Sequence, residues 1–302
     1  MENQNTNLLN DVGSFRNATG PIIVTLKNDM MFHRVMHSSK KALKGLICAL
    51  KGLNPVTVRD VQLMNPIDYA EYRDKEIILD VKVLLENKEI LDIELQLYRD
   101  KYWEQRSLLY LCRSFAGLGE GDKYNNLKPT TLVAIMDDPL FEEHPEFYSK
   151  YILQNIKNHE PYSSMLNLNV LYLNQTDLAT EDDRKNDLVY WAELFKATTW
   201  EDLIDLCNDR PEFEEVATAM YKTNTIPQER TIMEAHERYV LDKQAAFDTG
   251  FDSGYDTAKE EDNEIIGALN AEKCSLINDK SELIKELNRL RKKMLESGIE
   301  DT

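Results

Sequence analysis

The sequence is short of cysteine, glycine and proline, and it has no long apolar run. Its 302 residues include 4 Cys, 11 Gly and 9 Pro. The lack of any stretch of about 18 apolar residues argues against a membrane span. Residues 1–10 also lack the basic start and apolar stretch of a signal peptide. No two cysteines form a CxxC pair, which disfavours zinc and disulfides and predicts buried free thiols in a reducing cytoplasm. They are Cys48, Cys112, Cys207 and Cys274.

Several signatures of nucleotide-binding and zinc enzymes are missing as well. The sequence has neither a GK[ST] phosphate loop nor a G-x-S-x-G nucleophile motif. The glycines of residues 117–121 follow a predicted helix rather than a strand, so they indicate a helix exit and not a dinucleotide turn. His33 and His37 have the spacing of a zinc helix, but Arg34 occupies the place of the metalloprotease glutamate.

The charge of the chain is unevenly distributed. The formal net charge is −18. Residues 1–130 carry 18 Lys and Arg against 17 Asp and Glu, whereas residues 131–302 carry 18 against 37. The first part therefore permits contacts with DNA phosphates, although an ordinary solvated surface could carry the same groups. The basic candidates are Lys40, Lys41, Lys44, Lys51, Arg99, Lys101, Arg106 and Arg113.

Hydrophobic periodicity predicts helices alternating with strands up to about residue 178. An apolar content of 42% is enough for a core, and the alternation is typical of an α/β sandwich. The predicted helices cover residues 29–53, 102–117 and 143–158. The predicted strands cover residues 56–64, a hairpin at 76–97, and residues 132–136 and 169–173.

The hairpin is the most informative segment of the sequence. Apolar and polar residues alternate along both of its strands over residues 80–97, so each strand has one apolar and one polar face. A fold about the central turn places Asp80 opposite Glu94. The same register places Lys82 opposite Asp92. Opposed carboxylates repel unless a cation lies between them, and hard oxygen ligands suit Mg²⁺.

This hairpin resembles the core of the PD-(D/E)XK nucleases. The spacing D-x13-E-x-Q from Asp80 to Gln96 is that of the variant ending in E-x-Q rather than E-x-K. The motifs around it are similar, in kind and order, to those of the Rpn-type recombination-promoting nucleases, also described as PD-(D/E)XK transposase-like proteins. The resemblance covers about residues 25–175. Its further motifs are Lys27-Asn-Asp-Met-Met-Phe32, Asn65-Pro66, Arg106-Ser-Leu-Leu-Tyr110, Gly121-Asp-Lys-Tyr124, Leu127-Lys-Pro129 and a strand at 131–136.

The resemblance implies a restriction-endonuclease-like sandwich with a mixed central sheet. It also implies that Asp80 and Glu94 hold Mg²⁺ or Mn²⁺, and that Gln96 stands where most relatives have a catalytic Lys. Asp29 corresponds to the acidic residue of the opening motif, although it could instead cap its helix. Gln105 or Arg106 could reach the scissile phosphate from the next helix, or Arg106 could instead pair with a core carboxylate.

Gln96 leads to a hypothesis about the division of chemical roles. A neutral amide can orient a water molecule by hydrogen bonds but cannot supply positive charge. Lys82 lies on the same predicted strand face as Asp80 and has a stem long enough to reach a phosphate. We therefore expect Gln96 to orient the water and Lys82 to supply the charge, with Lys82 paired to Asp92 at rest.

The second half of the chain is predicted to be acidic and helical, ending in a coiled coil. Leucines at four d positions and mixed a positions form a heptad pattern within residues 260–295, which predicts a parallel homodimer. A lone or back-folded charged helix is the alternative. The predicted domains are a disordered tail at 1–20, a nuclease-like domain at 21–178, a helical subdomain at 179–249, and a Gly-containing linker with the coiled-coil helix at 250–302.

Two functions remain open on the sequence alone. The first is a metal-dependent DNA endonuclease linked to recombination or mobile elements. The second is an inactive nuclease fold that serves as a scaffold for DNA or protein. The carboxylate pair Asp80 and Glu94 favours the enzyme, whereas Gln96 and the acidic second half favour the scaffold.

Overall fold

The computed structural model describes residues 14–56, 58, 60–64, 81–97, 102–119 and 121–296. The chain divides into two compact units, Met1–Glu237 and Arg238–Thr302. The described helices of the first unit are α1 (Asp29–Ser38), α2 (Lys40–Lys51), α3 (Trp103–Phe115), α4 (Glu181–Lys185), α5 (Leu188–Lys196), α6 (Trp200–Leu206) and α7 (Pro211–Thr225), with short 3₁₀ helices at Phe15–Asn17, Tyr124–Asn126 and Leu173–Leu178. Helix α8 (Pro227–Glu296) begins in the first unit and forms most of the second.

A mixed six-stranded sheet organises the first unit. Its strands are β1 (Val61–Leu63), β2 (Val81–Leu85), β3 (Ile90–Leu95), β4 (Thr130–Met136), β5 (Tyr148–Gln154) and β6 (Pro161–Tyr172). They lie in the order β1-β2-β3-β4-β6-β5. The central pairs β3–β4 and β4–β6 are parallel, and the other pairs are antiparallel. This arrangement confirms the predicted restriction-endonuclease-like α/β fold.

The two faces of the sheet are covered by different helices. One face packs into the main hydrophobic core, to which α1, α2, α5, α6 and α7 contribute. The other face carries a much smaller core beneath α3. It consists of Trp103 from α3 and of Ala134, Met136, Val170 and Tyr172 from β4 and β6. Residues 188–217 contribute to the same core as the sheet, while their predicted status as a separate subdomain stays a prediction.

Four predicted segments differ from the structure. The predicted helix at 29–53 is two helices, because Ser39 adopts an extended conformation and its side chain caps α2 by accepting from the Ala42 amide. The predicted helix at 143–158 is wrong, since that stretch contains β5. Tyr148, Tyr151 and Ile152 favour a strand, and pairing with β6 fixes it.

The third difference concerns glycine. The predicted Gly-containing linker starts at residue 250, but α8 continues through both Gly250 and Gly254. Within the tail predicted to be disordered, residues 14–20 are ordered, because Phe15 is buried in the main core and Gly20 contacts the Glu201 carboxylate. No described helix is both long and apolar enough to cross a membrane.

Candidate active site

The hairpin of β2 and β3 has the register that the sequence predicts. Lys82 lies directly opposite Asp92, and Val81 lies opposite Ile93. The turn is closed by the Leu85 amide, which donates to the Glu89 carbonyl, and by the Lys88 amide, which donates to the Leu85 carbonyl. Lys88 adopts a left-handed conformation in it. Asp80 lies outside the described residues, so its opposition to Glu94 stays a prediction.

Alternation along this hairpin brings three charged side chains onto the face beneath α3. Lys82, Asp92 and Glu94 are 5%, 0% and 8% exposed. Burial of charged groups is unfavourable unless they are paired or hydrogen-bonded. A protein that retains three of them in a buried position therefore has a structural or chemical use for the cluster.

Helix α3 supplies partners for the two carboxylates. Its buried side includes Trp103, Ser107 and Ser114, which recur at helical spacing. The Ser114 hydroxyl donates a hydrogen bond to Asp92 Oδ2 at 2.6 Å. Because a charge-assisted hydrogen bond compensates part of the desolvation cost, Ser114 helps to keep Asp92 on this face.

Arg106 lies one turn before Tyr110 and contacts two predicted site residues, Glu94 of β3 and Gln96 directly after it. Its Nη2 donates to Glu94 Oε1 at 2.9 Å and to Gln96 Oε1. The guanidinium also lies 5.3 Å from the Trp103 ring centroid and 5.6 Å from that of Tyr110. These contacts fix the planar donor fork against Glu94 and Gln96. They correspond to the second of the two alternatives left open for Arg106, pairing with a core carboxylate, while a contact with the scissile phosphate stays a prediction.

Asp29 has different neighbours. It occupies the first turn of α1, but the side chain that caps the helix is that of Asn28. Asp29 Oδ1 lies 3.2 Å from His236 Nδ1 of α8. Among the residues that the structure describes, no three His, Cys, Asp or Glu side chains form a group able to hold a metal. The structure therefore does not bring Asp29 and Glu94 together in such a group, and a catalytic role for Asp29 stays a prediction.

The opening motif nevertheless reaches the sheet through its first residue. Lys27 Nζ forms an ion pair with Asp137, which directly follows β4. The backbone N–H of Gln96 donates to the Ile135 carbonyl at 2.8 Å, close to the same end of β4. These contacts therefore join the carboxyl ends of the central strands β3 and β4 to the segment just before α1.

The donor set suits a hard divalent cation in part. The Glu94 carboxylate and the Gln96 side-chain oxygen are hard donors of the kind that Mg²⁺ takes, and Arg106 now contacts both. A second carboxylate would have to come from Asp80, outside the described residues, or from Asp92. Sequence reasoning did not identify Ser114 or Trp103 as parts of the site. Their spacing with Arg106 on one helix face was the available signal.

Comparison with known proteins adds the family. The model of the PD-(D/E)XK nuclease family transposases matches residues 26–250. The chain belongs to this family. Membership in the PD-(D/E)XK nuclease family transposases indicates a nuclease related to mobile elements, with DNA as the substrate that the family implies. Searches of the curated proteins and of the solved structures found no match.

Proposed function

We propose that the protein is a divalent-metal-dependent DNA endonuclease, linked to recombination or mobile elements, whose active site lies between β3 and α3. The observation that carries the proposal is the joint contact of Arg106 with Glu94 and Gln96. An arginine held by two aromatic rings against a buried carboxylate is a precise arrangement, and it involves both described members of the D-x13-E-x-Q motif.

Asp80 and Glu94 would hold the metal. A bound Mg²⁺ or Mn²⁺ supplies Lewis-acid polarisation of the scissile phosphate and a lowered pKa of the attacking water. The side chains of the protein then have three tasks: to keep the carboxylates ionised and oriented, to orient the water, and to place positive charge near the phosphate.

Gln96 and Lys82 are assigned the last two tasks. The Gln96 amide can orient a water molecule, and Lys82 supplies a charge on the same sheet face as Glu94. Lys82 sits directly opposite Asp92 in the ladder, about 5 Å at Cβ, while Glu94 is its diagonal neighbour at about 7–8 Å. This geometry supports a resting pair of Lys82 with Asp92 that a phosphate could recruit.

Arg106 is assigned a positioning role. Its guanidinium neutralises Glu94 and orients the Gln96 oxygen before any metal or DNA arrives. Charge-assisted contacts of this kind are among the strongest side-chain hydrogen bonds, so they keep both groups in place. A metal held by Glu94 would compete with Arg106 for this carboxylate, and an Arg106 displaced from it could donate to a phosphate oxygen.

Supercoiled plasmid incubated with and without Mg²⁺ or Mn²⁺ tests the proposal. We expect nicked or linear plasmid only with the divalent ion, and loss of that activity in Glu94→Gln and Asp80→Asn. Glu104→Gln, which removes an exposed carboxylate at the start of α3, is the matched control and should cut normally. Equal cutting by the parent and both site variants would show that the activity does not come from this site.

The alternative function is a scaffold that binds DNA or protein without cutting. The presence of Gln96 instead of Lys and the engagement of Glu94 by Arg106 favour it. A parent protein that binds DNA but leaves plasmid intact under all divalent ions would support the scaffold and contradict the endonuclease.

We further propose that residues 260–295 join two chains as a parallel coiled coil. The d-position leucines are all more than half exposed on the single chain: Leu269, Leu276, Leu283 and Leu290. A row of leucines every seven residues along a helix is the pattern of a two-stranded coiled coil. Removal of the residues after Gly254 should reduce the mass measured by light scattering from a dimer to a monomer. A monomeric full-length protein would contradict this assignment.

A further inference from the structure

The β5–β6 hairpin projects from the sheet as an arm. Every residue from 150 to 162 is exposed, on both faces of the ribbon, and we call these residues the arm. β6 pairs with β4 only from Leu166 onward. Pro161 therefore lies about 16 Å beyond the amino-terminal end of β4. An isolated two-stranded ribbon is only marginally stable, and exposed apolar residues on both faces indicate a binding role.

The arm stands out by its lack of acidic residues. Residues 147–176 contain a single acidic residue, Glu160, whereas residues 131–302 as a whole carry 37. The arm has two lysines, Lys150 and Lys157. Six of its other side chains are of the types that contact phosphates and bases by hydrogen bonding or stacking. They are Tyr151, Gln154, Asn155, Asn158, His159 and Tyr162.

The tip of the arm is a defined turn. The Asn155 amide donates to the Glu160 carbonyl, and the His159 amide donates to the Asn155 carbonyl, both at 2.9 Å. Asn155 Oδ1 accepts from the Lys157 amide at 2.9 Å. This network holds Ile156 outward at 88% exposure, beside Lys157. A rigid tip loses little conformational freedom on binding.

These features fit one partner, duplex DNA. A two-stranded antiparallel ribbon fits the major groove, and an apolar residue at the end of a projecting element can wedge between base steps from the minor groove. We infer that the arm binds a groove of the DNA substrate at a site separate from the cleavage site. The inference rests on the proposed function only in taking DNA as the substrate.

The strand register sets the distance between the two contacts. Glu94 lies level with Val170 across β4, and Pro161 lies nine residues before Val170 on β6. Nine residues of strand span about 30 Å, which equals about nine base pairs of duplex. The arm leaves the sheet at the amino end of β4, whereas Gln96 lies at its carboxyl end. If DNA is bound by both the arm and the active site, the arm would contact it about one helical turn from the cleaved bond.

The test is duplex binding without cleavage. A labelled duplex of about 30 base pairs is titrated with the full-length protein in EDTA, and anisotropy is recorded at several salt concentrations. Lys150→Gln with Lys157→Gln should weaken binding about tenfold or more and reduce the salt slope by about 2, because each phosphate contact contributes about 1. Ile156→Ser should weaken binding without changing the salt slope.

Lys185→Gln is the matched control, because Lys185 is an exposed lysine on α4 beside acidic residues. It should leave affinity and slope unchanged, and circular dichroism should show all variants folded. Unchanged affinity and slope in the arm variants would overturn the inference, as would a parent protein that does not bind the duplex. A change of oligomeric mass with unchanged DNA affinity would instead make the arm a protein interface and equally overturn it.

The endonuclease and the arm can fail separately. A parent protein that cuts plasmid, with arm variants that bind duplex as the parent does, keeps the endonuclease and rejects the arm. A parent protein that never cuts, but binds duplex through Lys150 and Lys157, keeps the arm and rejects the endonuclease.

Discussion

The two faces of the central sheet differ in what they bury, although they share the same strands. Toward α1 and α2, the two strands bury apolar side chains: Val81, Val83, Leu91, Ile93 and Leu95. The one charged side chain described on this side of the hairpin, Glu89, lies in the turn before β3 and pairs with Lys51 of α2. Toward α3, the alternate positions bury Lys82, Asp92 and Glu94. The apolar face stabilises the fold through burial, whereas the charged face depends on specific partners and offers little net stability. Stability and chemistry are therefore separated by one residue along each strand.

The largest expected effect comes from the charged face. Glu94→Ala removes a proposed metal ligand, and we expect divalent-dependent cleavage to fall at least about 10³-fold, which is about 4 kcal/mol of transition-state stabilisation. Rates of plasmid nicking at fixed Mg²⁺ measure the loss. The melting temperature should change far less than the activity. Parallel losses of folding and activity would contradict the separation of the two faces.

The apolar face should show the reverse behaviour. Leu43 is fully buried in the main core, and Leu43→Ala should lower the free energy of unfolding by about 2–5 kcal/mol. Urea denaturation measures this change. Cleavage per folded molecule should stay within about twofold of the parent, since Leu43 lies on the face that does not contribute the site. A tenfold loss of activity in protein that remains folded would break the comparison.

Lys82 and Gln96 test the assignment of roles within the charged face. Lys82→Met should reduce cleavage about 10²-fold without weakening metal binding, and Gln96→Ala should show a similar loss. Gln96→Lys should at least partly restore the activity of Lys82→Met. Activity is measured by plasmid nicking, and metal affinity by isothermal titration with Mn²⁺. Full activity in Lys82→Met would leave only the Gln96 part of the hypothesis.

Two buried serines of α3 provide a smaller and closely matched comparison. Ser114→Ala should cost about 1–3 kcal/mol of stability, because its hydroxyl serves the buried Asp92 carboxylate. Ser107→Ala should cost less, since the Ser107 hydroxyl donates only to the Glu104 carbonyl of its own helix. Chemical denaturation of both variants measures the difference. Equal costs would mean that the Asp92 contact contributes no more than a helix-internal hydrogen bond.

The smallest effect concerns the outer side of α1. Burial, assisted by His37, lowers the pKa of His33 below 6.5, and burial also lowers the pKa of His37. When the pKa of a histidine is lower in the folded state, the unfolded chain binds protons first as the pH falls. The contribution of these histidines to the free energy of unfolding is therefore fully present above about pH 6.5 and is lost as the pH falls below it. Asp29 acts in the opposite direction on His33. We expect a modest decrease in melting temperature from pH 7.5 to 5.5. The double variant His33→Gln with His37→Gln should show a smaller decrease. If its melting temperature depends on pH as that of the parent does, the two histidines are not the cause of the decrease.

The hydrophobic pattern of the sequence predicted those elements whose structure depends on neighbouring residues along the chain. Alternation over residues 81–95 predicted the hairpin and its register, because a slip by one residue would expose every apolar side chain. Residues 148–154 were predicted as a helix, since nothing local showed that β6 would pair with them. The contact between Ser114 and Asp92 joins residues 22 positions apart. Such contacts depend on how α3 lies across the sheet, and one sequence does not specify that.

The alternation along β2 and β3 also has a consequence for how this protein can change over generations. Substitutions at residues 82, 92, 94 and 96 alter the chemistry under α3, and substitutions at residues 81, 83, 91, 93 and 95 alter the packing under α1 and α2. The two sets can therefore vary almost independently, so a lineage can lose or retune its nuclease without first losing its fold. A change in strand length has a different effect from a substitution. A single residue inserted within β2 or β3 would exchange the apolar and charged sets between the two faces of the sheet. We expect natural variants of this hairpin to differ freely in residue type but rarely in strand length.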